Sequence, residues 1–286
     1  VIEQPPHKTQ FINSKTIKDE DDCVTGSEGF IGKALCQELK RRDVEVIGID
    51  RKNGKDAASI CDILKNGDID CVFHLAAQTS VFNGNIPQIR KDNIDTFINV
   101  ADACNRYHVK LVYASSSAAH PCNTTSMYGI SKYFNEQYAS FYCKDATGVR
   151  LHNVYGSLPR KRTLLWFLLN RGKVKLYNYG RNIRCFTYID DAVQGLIYAY
   201  GSHKRLVNVA NMQPITVKSF AEIVGSYKSI DIELVETTRE HDNSEQVVDR
   251  YIFLVPLSYT SVENGIRKIF AGRRNQTPQN SKAEEG

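Results

Sequence analysis

The stretch Val24-Thr25-Gly26-Ser27-Glu28-Gly29-Phe30-Ile31-Gly32 reads as the end of a strand, a glycine-rich turn and the start of a helix. Gly26 and Gly29 let the backbone turn tightly and approach a phosphate with no side chain between them. Gly32 lets the helix pack close to the strand. The helix N-terminus offers free N–H groups and a positive dipole end to a pyrophosphate. The spacing G-x-x-G-x-x-G is one residue longer in its first gap than the usual dinucleotide fingerprint. On this reading Gly26, Gly29, Phe30, Ile31 and Gly32 hold a dinucleotide.

Working outward, Ile31, Leu35 and Leu39 recur at helical spacing and predict a helix from Gly29 to Arg42. Val44 to Asp50 follows as a strand ending in an acid, 24 residues beyond Gly26. That is near the separation at which a carboxylate takes the adenosine ribose hydroxyls. A carboxylate there repels a 2′-phosphate and favours NAD over NADP; Arg51 and Lys52 soften the preference, because cations tolerate the phosphate. Asp62 and Ile63 are candidates for the adenine side. Cys71 to Ala77 is a buried strand running into small residues, and Leu75, Ala76 and Ala77 let a cofactor come close.

The same alternation continues. Asn93 to Tyr107 is a helix, Lys110 to Ala114 a strand tipped by Ser115-Ser116-Ser117, Ser126 to Cys143 a helix, and Gly148 to His152 a strand. Strands alternating with helices at this spacing predict an α/β, doubly wound parallel sheet of Rossmann type. A smaller, interleaved C-terminal substrate domain is expected beside it. The expected division is a polar extension over 1–22, a cofactor domain over 23–156 with 178–210 returning to it, a substrate domain over 157–177 and 211–272, and a polar tail over 273–286. The acidic run Asp19 to Asp22 sits where the first buried strand should begin, although central parallel strands are normally apolar throughout.

Composition excludes several classes. The chain has 286 residues, 42% of them hydrophobic, and a formal charge of +5. No apolar run is long enough to span a membrane, and no signal-peptide pattern is expected. The positive charge is modest and spread out, apart from clusters such as Arg160-Lys161-Arg162, which points to anionic small molecules rather than nucleic acid. The eight cysteines form no C-x-x-C pair and suit free thiols in a reducing cytoplasm. The seven histidines are scattered, and no metal constellation appears.

Tyr128 and Lys132 stand four residues apart on one helix face. An ammonium beside a phenol lowers its pKa from about 10 toward neutrality. A tyrosine tuned in that way can take a proton from an alcohol while hydride leaves for a dinucleotide. A serine from the neighbouring strand end can hold the same alcohol oxygen.

Together these elements resemble the extended short-chain dehydrogenase/reductase family, the NAD-dependent epimerases and dehydratases of nucleotide sugars. The resemblance runs from about Cys23 to Phe270. It rests on the glycine turn, Asp50, His74-Leu75-Ala76-Ala77, Asn93, Tyr113 to Ser117, Tyr128-Gly-Ile-Ser-Lys132, Arg150-x-x-Asn153-Val-Tyr155-Gly156 and Arg184-x-Phe186-x-Tyr188-x-Asp190-Asp191. The region from Val174 to Asp191 looks most like the UDP-glucuronate 4-epimerases. The resemblance implies Ser116 as catalytic serine, with Ser115 or Ser117 open if the register shifts by one. It implies Tyr128 as acid–base residue and Lys132 as its partner and a ligand of the nicotinamide ribose. Asn93 falls at a cofactor position, Ser116 and Ser117 at substrate positions, and Asn153 and Arg184 at positions that contact the nucleotide diphosphate.

The resemblance also narrows the reaction. The family's dehydratases carry an Asp-Glu pair after the serine or threonine, and its decarboxylases a glutamate; here those positions hold Ser117 and Ala118. That leaves 4-epimerisation or a simple 4-keto reduction; the expected activity is 4-epimerisation of a nucleotide sugar, UDP-linked, with NAD as cofactor, a homodimer as assembly and the cytoplasm as location. The alternatives are a 4-keto-sugar reductase, a dehydratase or decarboxylase, and a non-catalytic NAD(P)-binding regulator.

Overall fold

The computed structural model describes residues 21–80, 84–237 and 244–274. In chain order its first half runs β1 (Asp21–Thr25), α1 (Phe30–Lys40), β2 (Glu45–Ile49), α2 (Ile60–Asn66), β3 (Ile69–His74), α3 (Ile86–Ile89), a π-helical turn (Arg90–Asp95), α4 (Thr96–Tyr107), β4 (Lys110–Ser116), α5 (Met127–Tyr142) and β5 (Ala146–Leu151). The second half runs α6 (Leu164–Asn170), β6 (Lys173–Leu176), β7 (Ile183–Arg184), α7 (Ile189–Tyr200), β8 (Leu206–Val209), β9 (Ile215–Thr216), α8 (Val217–Gly225), β10 (Asp231–Leu234), β11 (Phe253–Leu254) and α9 (Val262–Arg274).

Seven strands form one sheet in the order β11-β8-β5-β4-β3-β1-β2, with every pairing parallel. The pleat sends alternate residues to opposite faces, and the sequence supplies an apolar residue for each. Cys23, Val72, Leu111 and Tyr113 pack on one face under α2, α4 and α5, with Ile60, Leu64, Phe97 and Val100. Val24, Phe73, Val112 and Val149 pack on the other under α1 and α7, with Leu35, Leu39, Ala192 and Leu196. A third core joins Leu165, Leu168, Leu176, Phe186, Phe220, Ile266 and Ile269 in the smaller unit. There β6 pairs with β10 in parallel and β7 with β9 antiparallel.

The fold matches the expected doubly wound sheet, but several expected boundaries move. Asp21 and Asp22 belong to β1, not to a loose extension ending at residue 22. Asp22 is buried, and the pairing with β3 shifts by one residue between Asp21 and Asp22. Residues 1–20 and 275–286 lie outside the described residues. Ile183–Arg184, expected to return to the large domain, pairs with Ile215–Thr216 of the smaller unit. Conversely β11, from the stretch assigned to the substrate domain, joins the main sheet beside β8. A two-residue strand carries no readable period, so neither switch shows in the hydrophobic pattern. α9 extends to Arg274, past the start of the expected tail, and the helix expected from Asn93 is α-helical only from Thr96, because Asn93 to Asp95 belong to the π turn that follows α3.

Candidate active site

β1 lies between β2 and β3, so the chain reverses its direction of winding there. Open parallel sheets bind ligands at such a switch point, beyond the carboxyl ends of the strands. A cleft of about 410 Å³ opens at that place. Gly26, Gly29, Phe30, Ile31, Gly32, Asp50, Leu75, Ala77, Ser115, Ser116, Ser117, Tyr128, Lys132 and Asn153 all line it.

The glycine turn is built around the carbonyl of Gly26. Gly26 has φ +72°, and its N–H donates to the Ile49 carbonyl at 2.7 Å. A Cβ on Gly32 would stand 2.1 Å from the Gly26 oxygen, so position 32 admits no side chain. α1 starts at the next residue after Gly29 with no side-chain cap and no acid in its first turn. Its first N–H groups therefore remain available to an anion. The cradle fits the pyrophosphate of a dinucleotide.

Asp50 ends β2, and its carboxylate accepts from the Glu28 N–H at 3.1 Å and the Lys52 N–H at 3.0 Å. Arg51 does not face a 2′-phosphate as a lone cation. It pairs with the buried Asp92 and, at 3.3 Å, with Asp56, while Lys52 donates to the Glu28 carbonyl at 3.3 Å. Arg51 and Ala76 line an adjoining cavity of about 140 Å³ with Asp50 and Ala77. Asp62 and Ile63 line neither cavity. Ile60 and Leu64 turn α2 onto the core, which leaves Asp62 on the exposed face and Ile63 packed against that core. Asn93 is buried, and it lines neither cavity. Its side chain donates to the Gln78 carbonyl at 2.9 Å and to Ser131 at 3.0 Å, and accepts from the Gln78 N–H at 2.7 Å. Asn93 thus ties the loop after β3 to α5.

The three serines after β4 divide their work. Ser115 donates to Glu136 at 2.5 Å, and Ser117 hydrogen-bonds the side chain of Gln246 at 3.4 Å. Ser116 is the serine that draws the Tyr128 phenol back down. Its oxygen also accepts from the Ala118 N–H at 3.2 Å. Lys132 is buried and donates to the Ala114 carbonyl at 2.8 Å. Burial pushes its ammonium down to about 8, against the pull of Glu136. The expected tuning of Tyr128 by Lys132 needs correction. Burial pushes the Tyr128 phenol above its ordinary value, and the groups that draw it back are Ser116 and the Arg160 guanidinium. The Lys132 ammonium is held on a backbone carbonyl instead. Behind the site, burial and the Lys132 charge push His74 down to about 3, so it is neutral, with Nδ1 2.8 Å from the Thr25 hydroxyl.

Arg184 is not in the cleft. It is buried in the β7–β9 pair, with Nη1 donating to the carbonyls of Ile183 at 2.7 Å and Ser244 at 3.5 Å. The arginine on the cleft wall is Arg160, which the sequence showed only as part of a basic cluster. Gln246 also lines the cleft, and no local pattern marks it. Arg160 and Asn153 further border a second cavity of about 210 Å³, walled by Phe30, Tyr155, Phe186 and Phe220. Glu136, one turn beyond Lys132, is a third residue the motif reading left out. It holds Arg150 through two hydrogen bonds of 2.7 Å beneath the serine strand end. Among the described residues no cluster of histidine, cysteine or acid could hold a metal ion, and no helix is long and apolar enough to cross a membrane.

Comparison with known proteins agrees with this geometry. The chain is 27% identical over 270 residues to UDP-glucuronate 4-epimerase 4 of Arabidopsis thaliana, covering 70% of this chain and 62% of that protein. It is 26% identical over 317 aligned positions to the protein CapI of Staphylococcus aureus, covering 86% and 91%. The structure of MoeE5 in complex with UDP-glucuronic acid and NAD superposes with a TM-score of 0.77 at 25% identity, covering 89% of this chain and 99% of that one. The UDP-glucose 4-epimerase of Thermotoga maritima shares the fold at a TM-score of 0.78 and 22% identity, covering 90% and 99%. Residues 23–210 match the model of the NAD dependent epimerase/dehydratase family. A chain with this sheet, this glycine cradle and that match belongs to the NAD dependent epimerase/dehydratase family, and NAD is its cofactor.

Proposed function

We propose that the chain epimerises a nucleotide sugar, UDP-linked, at C4. The observation that carries the reading is that Ser116, Tyr128 and Lys132 line the same cleft as the glycine cradle, with Lys132 one helical turn beyond Tyr128. Bound NAD supplies a hydride acceptor and donor for the sugar carbon. The residues of the chain do the rest. Tyr128 takes the proton of the C4 hydroxyl and later returns it, while Ser116 holds the same oxygen. Gly26 to Gly32 hold the pyrophosphate, Asp50 the adenosine ribose and Lys132 the nicotinamide ribose. Elimination of water or carbon dioxide would call for a further acid near the serine. Ser117 and Ala118 occupy those places, and among the described residues lining the cleft the one carboxylate is Asp50, at the end of β2 and hydrogen-bonded to the glycine turn.

Arg160 favours an anionic sugar within this class. It is the cleft's second cation besides Lys132, and it acts on Tyr128. A guanidinium there suits the carboxylate of a uronate. The aromatic-walled cavity beside Asn153 suits the flat base of the nucleotide. Supplying UDP-glucuronate, UDP-glucose or UDP-N-acetylglucosamine should yield the 4-epimer by NMR with no net change in NADH absorbance, fastest for the uronate. Turnover of a 4-keto sugar only with stoichiometric NAD(P)H would establish a reductase instead. Binding of NAD with no nucleotide-sugar binding would establish the regulatory alternative.

We further propose a homodimer through α4 and α5. Tyr133, Phe134, Phe141 and Tyr142 of α5 are exposed, and Phe134 and Tyr142 pack on Tyr138. Light scattering at micromolar concentration should give twice the 32.3 kDa chain mass; a monomer would refute the pairing. The eight unpaired cysteines favour a reducing compartment, the cytoplasm.

A further inference from the structure

We infer that Gln246 binds the substrate, its side-chain amide donating to an anionic acceptor oxygen of the bound nucleotide sugar. The inference rests on the nucleotide-sugar reading above and deepens it.

Gln246 comes from a segment that crosses to the site from 93 residues beyond Asn153 and 129 beyond Ser117. That segment is pinned on both sides. The Ile183 N–H donates to the Ser244 carbonyl at 2.8 Å. Val247 exchanges two hydrogen bonds of 2.8 Å with the side chain of Asn123, which itself donates to the Ser117 carbonyl at 2.9 Å. Further on, Asp249 approaches Arg150 at 3.5 Å and His120 at 3.7 Å. Gln246 is thereby held in the cleft that Ser116, Ser117 and Tyr128 line.

Its amide has a fixed sense. Oε1 accepts from Asn153 Nδ2 at 2.6 Å and from the Ser117 hydroxyl at 3.4 Å. Both of these partners are substrate-position residues. The acceptor end is spent on the protein, so what the side chain has left for a ligand is the NH₂ with its two donors. Asn153 holds this arrangement in a strained backbone, with φ +37° at a residue other than glycine. Such strain gathers at ligand sites. It also changes the role of Asn153, whose amide donates to Gln246.

A donor-only amide, with Arg160 on the same cleft wall, selects an oxygen that accepts and carries negative charge. Two parts of a nucleotide sugar qualify: a carboxylate on the sugar and the diphosphate. The test separates them by measuring equilibrium binding of UDP-glucuronate, UDP-glucose and UDP to the NAD-loaded wild type, Gln246→Leu and Gln246→Glu. Gln246→Glu keeps the acceptor for Asn153 and Ser117 and removes the donors. A merely structural Gln246 would tolerate that change. A ligand-binding Gln246 would not, and the added charge would repel an anion. We expect Gln246→Leu to weaken binding by roughly tenfold to a hundredfold, the range of one hydrogen bond to a charged group, and Gln246→Glu by at least as much. Loss confined to UDP-glucuronate assigns the contact to the sugar carboxylate; equal loss for all three assigns it to the diphosphate. NAD content and melting temperature should match wild type in Gln246→Glu. Wild-type affinity for all three ligands in Gln246→Glu would overturn the inference while leaving the epimerase reading intact. A wild type that binds none of the three would overturn both.

Discussion

Replacing Tyr128 by phenylalanine should lower turnover by roughly 10²- to 10⁴-fold, the usual contribution of a general acid–base residue. The change deletes one hydroxyl and no carbon, so the ring keeps its packing and the melting temperature should hold. Ser116 keeps its contact with the Ala118 N–H, and the glycine cradle is untouched. Affinity for NAD and for the nucleotide sugar should therefore change little, and the loss should fall on kcat. The pH profile gives a second, independent readout. In the proposed mechanism the base form of Tyr128 starts the reaction, so the rate should fall as pH drops through the pKa of the phenol. Burial raises that pKa; Ser116 and Arg160 lower it. Arg160→Ala should then move the acidic limb of the profile to higher pH, besides weakening binding of an anionic sugar. Lys132→Met should lose both affinity for NAD and rate, since the ammonium proposed to hold the ribose is gone. Full activity in Tyr128→Phe would remove the tyrosine from the chemistry, whichever reaction the chain performs.

What could be read in the sequence was whatever a local backbone encodes. The glycine turn depends on residues within seven positions of one another, and its Cβ contacts are made within the turn and with the next strand end. The alternation Cys23–Val24, Val72–Phe73, Leu111–Val112 is a period of two, and it announces a sheet covered on both faces. Tyr128 and Lys132 are a helical turn apart. The sequence left open which of three serines faces the tyrosine, because a one-residue slip in a strand reverses every side chain. Glu136 and Gln246 resolve it by engaging Ser115 and Ser117. Gln246 itself had no local signature: its partners are Ser117 and Asn153, far away in the chain. Arg184 illustrates the opposite failure. Its place in a motif suggested a diphosphate contact, and nothing local revealed that its guanidinium would be buried against backbone carbonyls in a two-residue strand pair. Asp62 failed for a simpler reason. The helical period that buries Ile60 and Leu64 turns residue 62 away from the cavity.

The largest effect on stability should come from Glu136, below the serines. Its carboxylate accepts from Arg150 Nε and Nη2, both at 2.7 Å, and from the Ser115 hydroxyl at 2.5 Å. The two charged side chains are 3% and 6% exposed, so water screens neither. Bringing such a pair out of water is costly, and removing one partner leaves the other charge buried; the typical loss is about 3–5 kcal/mol. Glu136→Gln keeps the shape and one acceptor oxygen for Ser115 but takes the charge from Arg150, whose next acid is Asp249 at 3.5 Å. For a chain of this length that loss corresponds to a fall in melting temperature on the order of 10 °C. The same substitution reaches the active site. Glu136 is the group that holds the Lys132 ammonium up against burial, so without it the pKa should drop further below about 8. Activity near neutral pH should then fall beyond what unfolding explains, as lysines lose their charge in molecules that remain folded. Glu136→Met combined with Arg150→Met should recover much of the stability, because a well-packed apolar pair often replaces a buried ion pair without loss. It should not recover the activity, because Lys132 still lacks its carboxylate. Denaturant unfolding of Glu136→Met, Arg150→Met and the double variant gives the coupling energy directly. A loss below about 1 kcal/mol in Glu136→Gln, the level of an exposed ion pair, would mean that the pair is not what secures the strand end beneath Ser116.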